Sequence, residues 1–238
     1  MGLIKLVIFM LSVLHWTATC EPKTTTTDVI YTRTLINKYE GDVNSSRTLQ
    51  KDDRKLMTSW ADEFQIRRLD VTIKYRLQMI KHQEHSFRSD RNAKWANCLY
   101  HHRKDIRRSN LVYHDQEHFC LRTTTSKDAE HIEDVEQIEK QITKWRKGYR
   151  YLINRCHDEN PTNQVMAEHC LVEYMKSDRY DEVVHRLTLL KQTSMNDLYS
   201  YYSASLIELE DCLKFRLSSY LDRVRAIMDV LKKCYSIM

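Results

Sequence analysis

The chain is expected to fold as an all-α, elongated antiparallel bundle of long helices stapled by disulfides, and three observations predict it. Between Ile132 and Cys156 the apolar residues Val135, Ile138, Ile142, Trp145, Tyr149, Leu152 and Cys156 step by three and four in alternation, the period of a helix with one continuous seam. Glycine and proline are almost missing: past residue 20 only Pro22, Gly41, Gly148 and Pro161 occur. Strand-rich folds need those residues often at their turns, whereas long helices do not. Six cysteines, Cys98, Cys120, Cys156, Cys170, Cys212 and Cys234, follow residue 20 in an even set that suits covalent cross-linking.

Residues 1–20 carry Lys5, an apolar run from Leu6 to Leu14, and the small residues Ala18 and Cys20 before Glu21. This is the pattern of a secretory signal peptide, and the apolar run is about half of the roughly 20 residues that a membrane span requires. Cleavage there removes the seventh cysteine and places the other six in an oxidising compartment. The expected product is a secreted, extracellular protein with no membrane span.

Residues 21–53 are rich in Thr, Ser and Asp and show little helical period, so they are expected to form a flexible polar leader. Asn44-Ser45-Ser46 within it is a sequon, which makes Asn44 the candidate glycosylation site. The disulfide-stapled helical domain is expected over 54–238. Its first helix is placed from Thr58 or Ser59, with Trp60, Phe64, Val71, Ile73, Leu77 and Ile80 on its apolar side and a weakening near Ser86 to Asp90. Trp95, Cys98, Leu99 and Ile106 resume the stripe, and Ser109-Asn110 is read as a turn. Cys98 and Cys120 lie symmetrically about that turn, so they are expected to pair.

The run Thr123 to Asp128 reads as a linker, and the seam helix follows it. Asn160 and Pro161 read as the cap and first position of the next helix, with a break near Ser177-Asp178 and a turn over Thr193 to Asp197. A last helix is expected from Leu198 to Cys234. Cys212 and Cys234 would lie roughly 33 Å apart on it at 1.5 Å per residue, so each must reach upstream. Symmetry about Lys191 favours Cys170 with Cys212.

Charge is unevenly distributed. Arg54 to Arg108 carries 14 basic against 6 acidic residues, and Ser109 to Met238 carries 18 against 21. Arg103, Lys104, Arg107 and Arg108 form the densest basic group and are the candidate anion-binding residues, with Lys144, Arg146, Lys147 and Arg150 a smaller cluster. A sulfated glycan or an extracellular protein is the expected partner, and secretion disfavours nucleic acid.

Catalytic signals are weak. His114-Asp115-Gln116-Glu117-His118 matches the inverted zincin pattern without a third ligand marked by any motif, and His82, His85, His101 and His102 lie among basic residues as surface histidines do. No nucleophile elbow, CxxC pair or glycine-rich phosphate loop occurs. No catalytic residue, metal or cofactor is assigned. Tyr199, Tyr201 and Tyr202 with Leu198 and Leu206 form an aromatic patch that suits core or, as an alternative function, a helical carrier of a small apolar ligand.

The segment Trp95-Ala96-Asn97-Cys98-Leu99, the closely set Cys156 and Cys170, the long interval to Glu210-Asp211-Cys212-Leu213, and the closing Lys233-Cys234 resemble the insect secreted TsetseEP-domain family, named after the tsetse midgut EP protein. The namesake's Glu-Pro repeats are absent. Insect odorant-binding proteins share six cysteines on helices, but their close cysteine pair has no counterpart here. The TsetseEP resemblance implies a non-enzymatic insect protein of gut, salivary or reproductive secretion, and supplies no catalytic residues.

Overall fold

The computed structural model describes residues 26–88 and 92–237, and residues 1–20, expected from their pattern to be a signal peptide, lie outside that range. Six helices make up the described chain: α1 (Thr26–Ser86), α2 (Ala93–His101), α3 (Arg103–Thr123), α4 (Asp128–Glu159), α5 (Gln164–Ser177) and α6 (Tyr180–Ile237). They form three long legs. Tyr39 meets Tyr180, Phe64 meets Tyr202 and Tyr75 reaches Glu210, so α1 and α6 run parallel. Between them α2, α3 and α4 run the opposite way as one interrupted leg: Asn110 faces Tyr220, Thr124 faces Tyr201 and Glu139 faces Lys191. At 58 residues, α6 extends about 87 Å at 1.5 Å per residue. No helix among the described residues is long and apolar enough to cross a membrane.

From Thr26 onward the expected polar leader is helix. In α1 the positions facing the bundle step by three and four through Tyr39, Val43, Ser46, Gln50, Asp53, Met57, Trp60 and Phe64. Tyr39 and Val43 are buried against Trp145, Tyr149 and Tyr180, and that packing fixes a segment whose composition reads as mobile. Thr58, expected to cap a helix start, lies inside α1 and returns its hydroxyl to the Arg54 carbonyl at 2.9 Å.

Ser109-Asn110 is likewise helical: Ser109 is buried, and the Asn110 side chain accepts from the Tyr220 hydroxyl at 3.0 Å. The interruption falls at His102, between α2 and α3. Cys98 and Cys120 therefore sit about 33 Å apart along one leg and cannot pair. The observed bridges are Cys98–Cys234, Cys120–Cys212 and Cys156–Cys170. The expected Cys170–Cys212 pair also fails, because Thr193 to Asp197 is no turn. Met195 and Leu198 are buried on the seam of an uninterrupted α6, which carries Cys212 about 48 Å from the helix start at Tyr180. Both Cys212 and Cys234 do reach upstream.

The junctions follow local chemistry. Asn160 closes α4, with its N–H donating to the His157 carbonyl (3.2 Å) and its side chain to that of Cys156 (3.1 Å). Asn163, two residues after Pro161, caps α5 by accepting from the Met166 N–H at 3.2 Å. Arg179, at φ 48°, turns the chain from α5 into α6.

Gly148 stands against the Tyr180 hydroxyl, which donates to the Trp145 carbonyl at 2.7 Å; a Cβ at residue 148 would lie 3.1 Å from the Tyr180 hydroxyl oxygen. Tyr180 is wedged among Tyr39, Trp145 and Tyr149 and has little room to yield. Gly148→Ala is expected to destabilise the protein by about 1 kcal/mol, crowding outweighing the gain in helix propensity. In a Tyr180→Phe background the same substitution should become stabilising by about 1 kcal/mol. Urea unfolding of the four proteins checks the reversal of sign.

Candidate functional site

A polar layer interrupts the apolar seam where all three legs meet. On α4, Glu139 occupies a seam position between Val135 and Ile142, and on α6 Lys191 does the same between Leu187 and Met195. Both are 5 % exposed. The Lys191 ammonium lies 3.1 Å from Glu139 and 2.6 Å from Asp53 of α1. Arg54 reaches the other Glu139 oxygen at 3.0 Å, and the Gln50 amide donates to that oxygen at 3.2 Å. Two carboxylates thus face two cations, a balance that a buried group of charges requires. Burial works to raise the Glu139 pKa, but Gln50, Lys191 and Arg54 together hold it below the ordinary carboxylate range.

Over this layer α1 and α4 separate into an open groove of about 780 Å³. Its α1 wall is Gln50, Arg54, Met57 and Thr58, and its α4 wall runs from Val135 to Lys147. Lys140, Lys144 and Lys147, spaced four and three residues apart, stand exposed along one side of α4 and make no ion pair among the described residues. Arg146 folds beside them, donating to the Gln50 side-chain oxygen Oε1 and, at 3.1 Å, to the Thr143 hydroxyl. Burial and then the charge of Arg47 push the Arg146 guanidinium below its ordinary pKa, so cations here face other cations. Glu136 is the acidic residue on the rim.

No family model, no characterised protein and no solved structure matches this chain.

The structure brings together only part of the residues singled out in the sequence. Lys144 and Lys147 line the groove. Arg103, Lys104, Arg107 and Arg108 are exposed on the first two turns of α3, near the Cys98–Cys234 bridge, with the Arg103 guanidinium over the Tyr100 ring at 4.3 Å. That end of the bundle is about 50 Å from the polar layer, as measured along α6 from Lys191 to the residues facing Arg108. Asn44 is exposed on α1, and Ser46 of its sequon bonds the Val43 carbonyl at 2.8 Å.

Glu117, the central acid of the zincin-like match, is buried and held by the Arg76 guanidinium through both carboxylate oxygens, so it is committed to an ion pair. No group of three or more His, Cys, Asp or Glu able to hold a metal occurs among the described residues. Around Tyr199, Tyr202 and Leu206 the space left is about 30 Å³, because Phe64 stacks on Tyr202 and Trp60 packs on Tyr199.

Sequence reasoning missed Gln50, Asp53, Arg54, Glu139 and Lys191. Neither Glu139 nor Lys191 was legible, because Ile138 and Leu190, one position earlier, already complete the apolar spacing and leave both charges reading as solvated.

Proposed function

We propose that the protein is a secreted, non-enzymatic interaction protein that binds an anionic extracellular macromolecule, a sulfated glycan by chemistry, along the groove between α1 and α4. The observation that carries this reading is the row of exposed, unpaired Lys140, Lys144 and Lys147 over an open groove with Arg47 and Arg146 beside it. Exposed cations without carboxylate partners attract a polyanion over a Debye length of about 8 Å at physiological salt. The signal-peptide pattern and the three intramolecular disulfides support an extracellular setting. Assignment to an insect gut, salivary or reproductive secretion rests on the TsetseEP-like residues from Trp95 to Cys234, and glycosylation at Asn44 on the sequon and its exposure. Arg103, Lys104, Arg107 and Arg108 form a second basic surface for the same class of partner.

Heparin chromatography at physiological salt tests the reading. The protein is expected to be retained, and a Lys140→Gln, Lys144→Gln, Lys147→Gln variant to elute at markedly lower salt. Flow-through of the unaltered protein would end the proposal. Full loss of retention on neutralising only the Arg103 to Arg108 cluster would move the site to α3.

A further inference from the structure

A second groove, of about 360 Å³, lies between α3 and α6, at the opposite end of the bundle from the Cys156–Cys170 bridge. Its walls are mostly apolar, from Val112 on α3 and Ala226, Ile227 and Val230 on α6. Into the same groove come Ser109 and Arg223, and neither is satisfied. Ser109 is 4 % exposed and its hydroxyl has no hydrogen-bond partner among the described residues. Two guanidinium nitrogens of Arg223, Nε and Nη2, are buried and also lack one among the described residues. Buried donors without acceptors are costly, and a ligand that accepts from them in this groove would remove that cost.

The neighbouring acids do not supply that acceptor. Asp222 is engaged by Arg225 at 2.9 Å, and Asp105 lies 3.4 Å from the His102 ring at the mouth of the groove. The Tyr220 hydroxyl, one turn before Arg223, donates to Asn110. Arg108 stands on the rim and adds a second positive charge without entering a pair among the described residues. An apolar trough with an unpaired guanidinium and hydroxyl matches an amphipathic anion, because arginine presents parallel N–H groups to a carboxylate while the trough covers an alkyl chain.

We propose that the α3–α6 groove binds a medium-chain alkyl carboxylate, its carboxylate on Arg223 and Ser109 and its chain along Val112, Ile227 and Val230. This site is independent of the polyanion groove, about 50 Å away along α6, and either proposal can fail without the other.

Calorimetric titration of the full disulfide-bonded chain with decanoate, below its micelle-forming concentration, tests it. One equivalent is expected to bind. Arg223→Met, which keeps the apolar stem and removes the donors, should weaken binding at least tenfold, and Arg223→Lys should fall between. Val230→Asp, a substitution at an exposed position that places charge against the chain, should also weaken it at least tenfold, and serves should Arg223→Met fail to fold. The lysine-to-glutamine variant of the other groove should bind decanoate unchanged. Acetate, the head without the chain, should show no saturable binding. Absence of saturable decanoate binding, equal affinity of the parent and a folded Arg223→Met, or 1-decanol binding as tightly as decanoate would each overturn the proposal.

Discussion

Reduction of the three disulfides is expected to lower the melting temperature by about 20 °C or more and to abolish most of the helical far-UV signal at 37 °C. The bridges are nested: Cys156–Cys170 lies within Cys120–Cys212, which lies within Cys98–Cys234. Each outer bridge therefore closes only the two arms that the inner one leaves open. Cys156–Cys170 spans 14 residues, for which the chain-entropy model gives about 3 kcal/mol. The arms closed by the other two run to several tens of residues and give about 4 kcal/mol each. Together the three contribute about 11 kcal/mol, comparable with the whole stability of an ordinary domain, about 5–15 kcal/mol. A bundle about 87 Å long and three helices thick has much surface for its volume, so it relies on such staples. Thermal melts with and without reductant give the measurement, and a shift under about 5 °C would refute it. Peptide mapping tests the nesting, and recovery of Cys98 joined to Cys120 would contradict it.

Lys191→Met and Glu139→Leu are each expected to cost about 3 kcal/mol, whereas the double substitution should fall within about 1 kcal/mol of the parent. Removing Lys191 leaves Asp53 unpaired beside Glu139, and removing Glu139 leaves Lys191 with Asp53 alone. Arg54 softens both losses by remaining near the layer, which sets the cost at the lower end of what breaking a buried pair exacts. Replacing both seam charges with apolar side chains restores the continuity of the core. Urea unfolding of the four proteins gives the coupling energy, and additivity of the two single losses would show the layer to be uncoupled.

The same layer sets a pH dependence. The folded Glu139 pKa is depressed, so its contribution is complete above the unfolded value of about 4.5 and is lost as pH falls through the folded value. The parent protein should lose stability below about pH 5 more steeply than Glu139→Leu.

The bundle was legible wherever the seam is apolar. Val135 to Cys156 on α4 and Leu198 to Leu231 on α6 show their period in the sequence, and both are helix in the structure. The region 26–53 was not legible, because its seam passes through Ser46, Gln50 and Asp53, which read as solvated until Glu139 and Lys191 are placed opposite them. Thr193 to Asp197 misled for the same reason: four turn-forming or polar residues conceal Met195, whose burial depends on the other legs. Of the two basic groups, Lys144 and Lys147 came to line the α1–α4 groove, whereas Arg103, Lys104 and Arg107 stayed on an open helix face and Arg108 reached the rim of the α3–α6 groove, a distinction that depends on how the legs are spaced.

The cysteine pairing lies between the two cases. Cys98 and Cys120 are 22 residues apart, as are Cys212 and Cys234, and equal intervals on antiparallel legs let both bridges close at once. That equality is in the sequence, but it selects a pairing only when Ser109-Asn110 and Lys191 are known to be helix and not turns.

By itself the sequence determined the helical class, the seam of α4, the apolar face of α6 and the six half-cystines, because each depends on spacing along one chain segment. The tertiary structure decided the extent of α1, the nesting of the bridges, the buried charge layer and the two grooves, because each depends on which residue of a distant leg stands opposite. A buried Lys191 is stable only against Glu139 and Asp53, 52 and 138 residues away in sequence, and no local pattern contains that pairing.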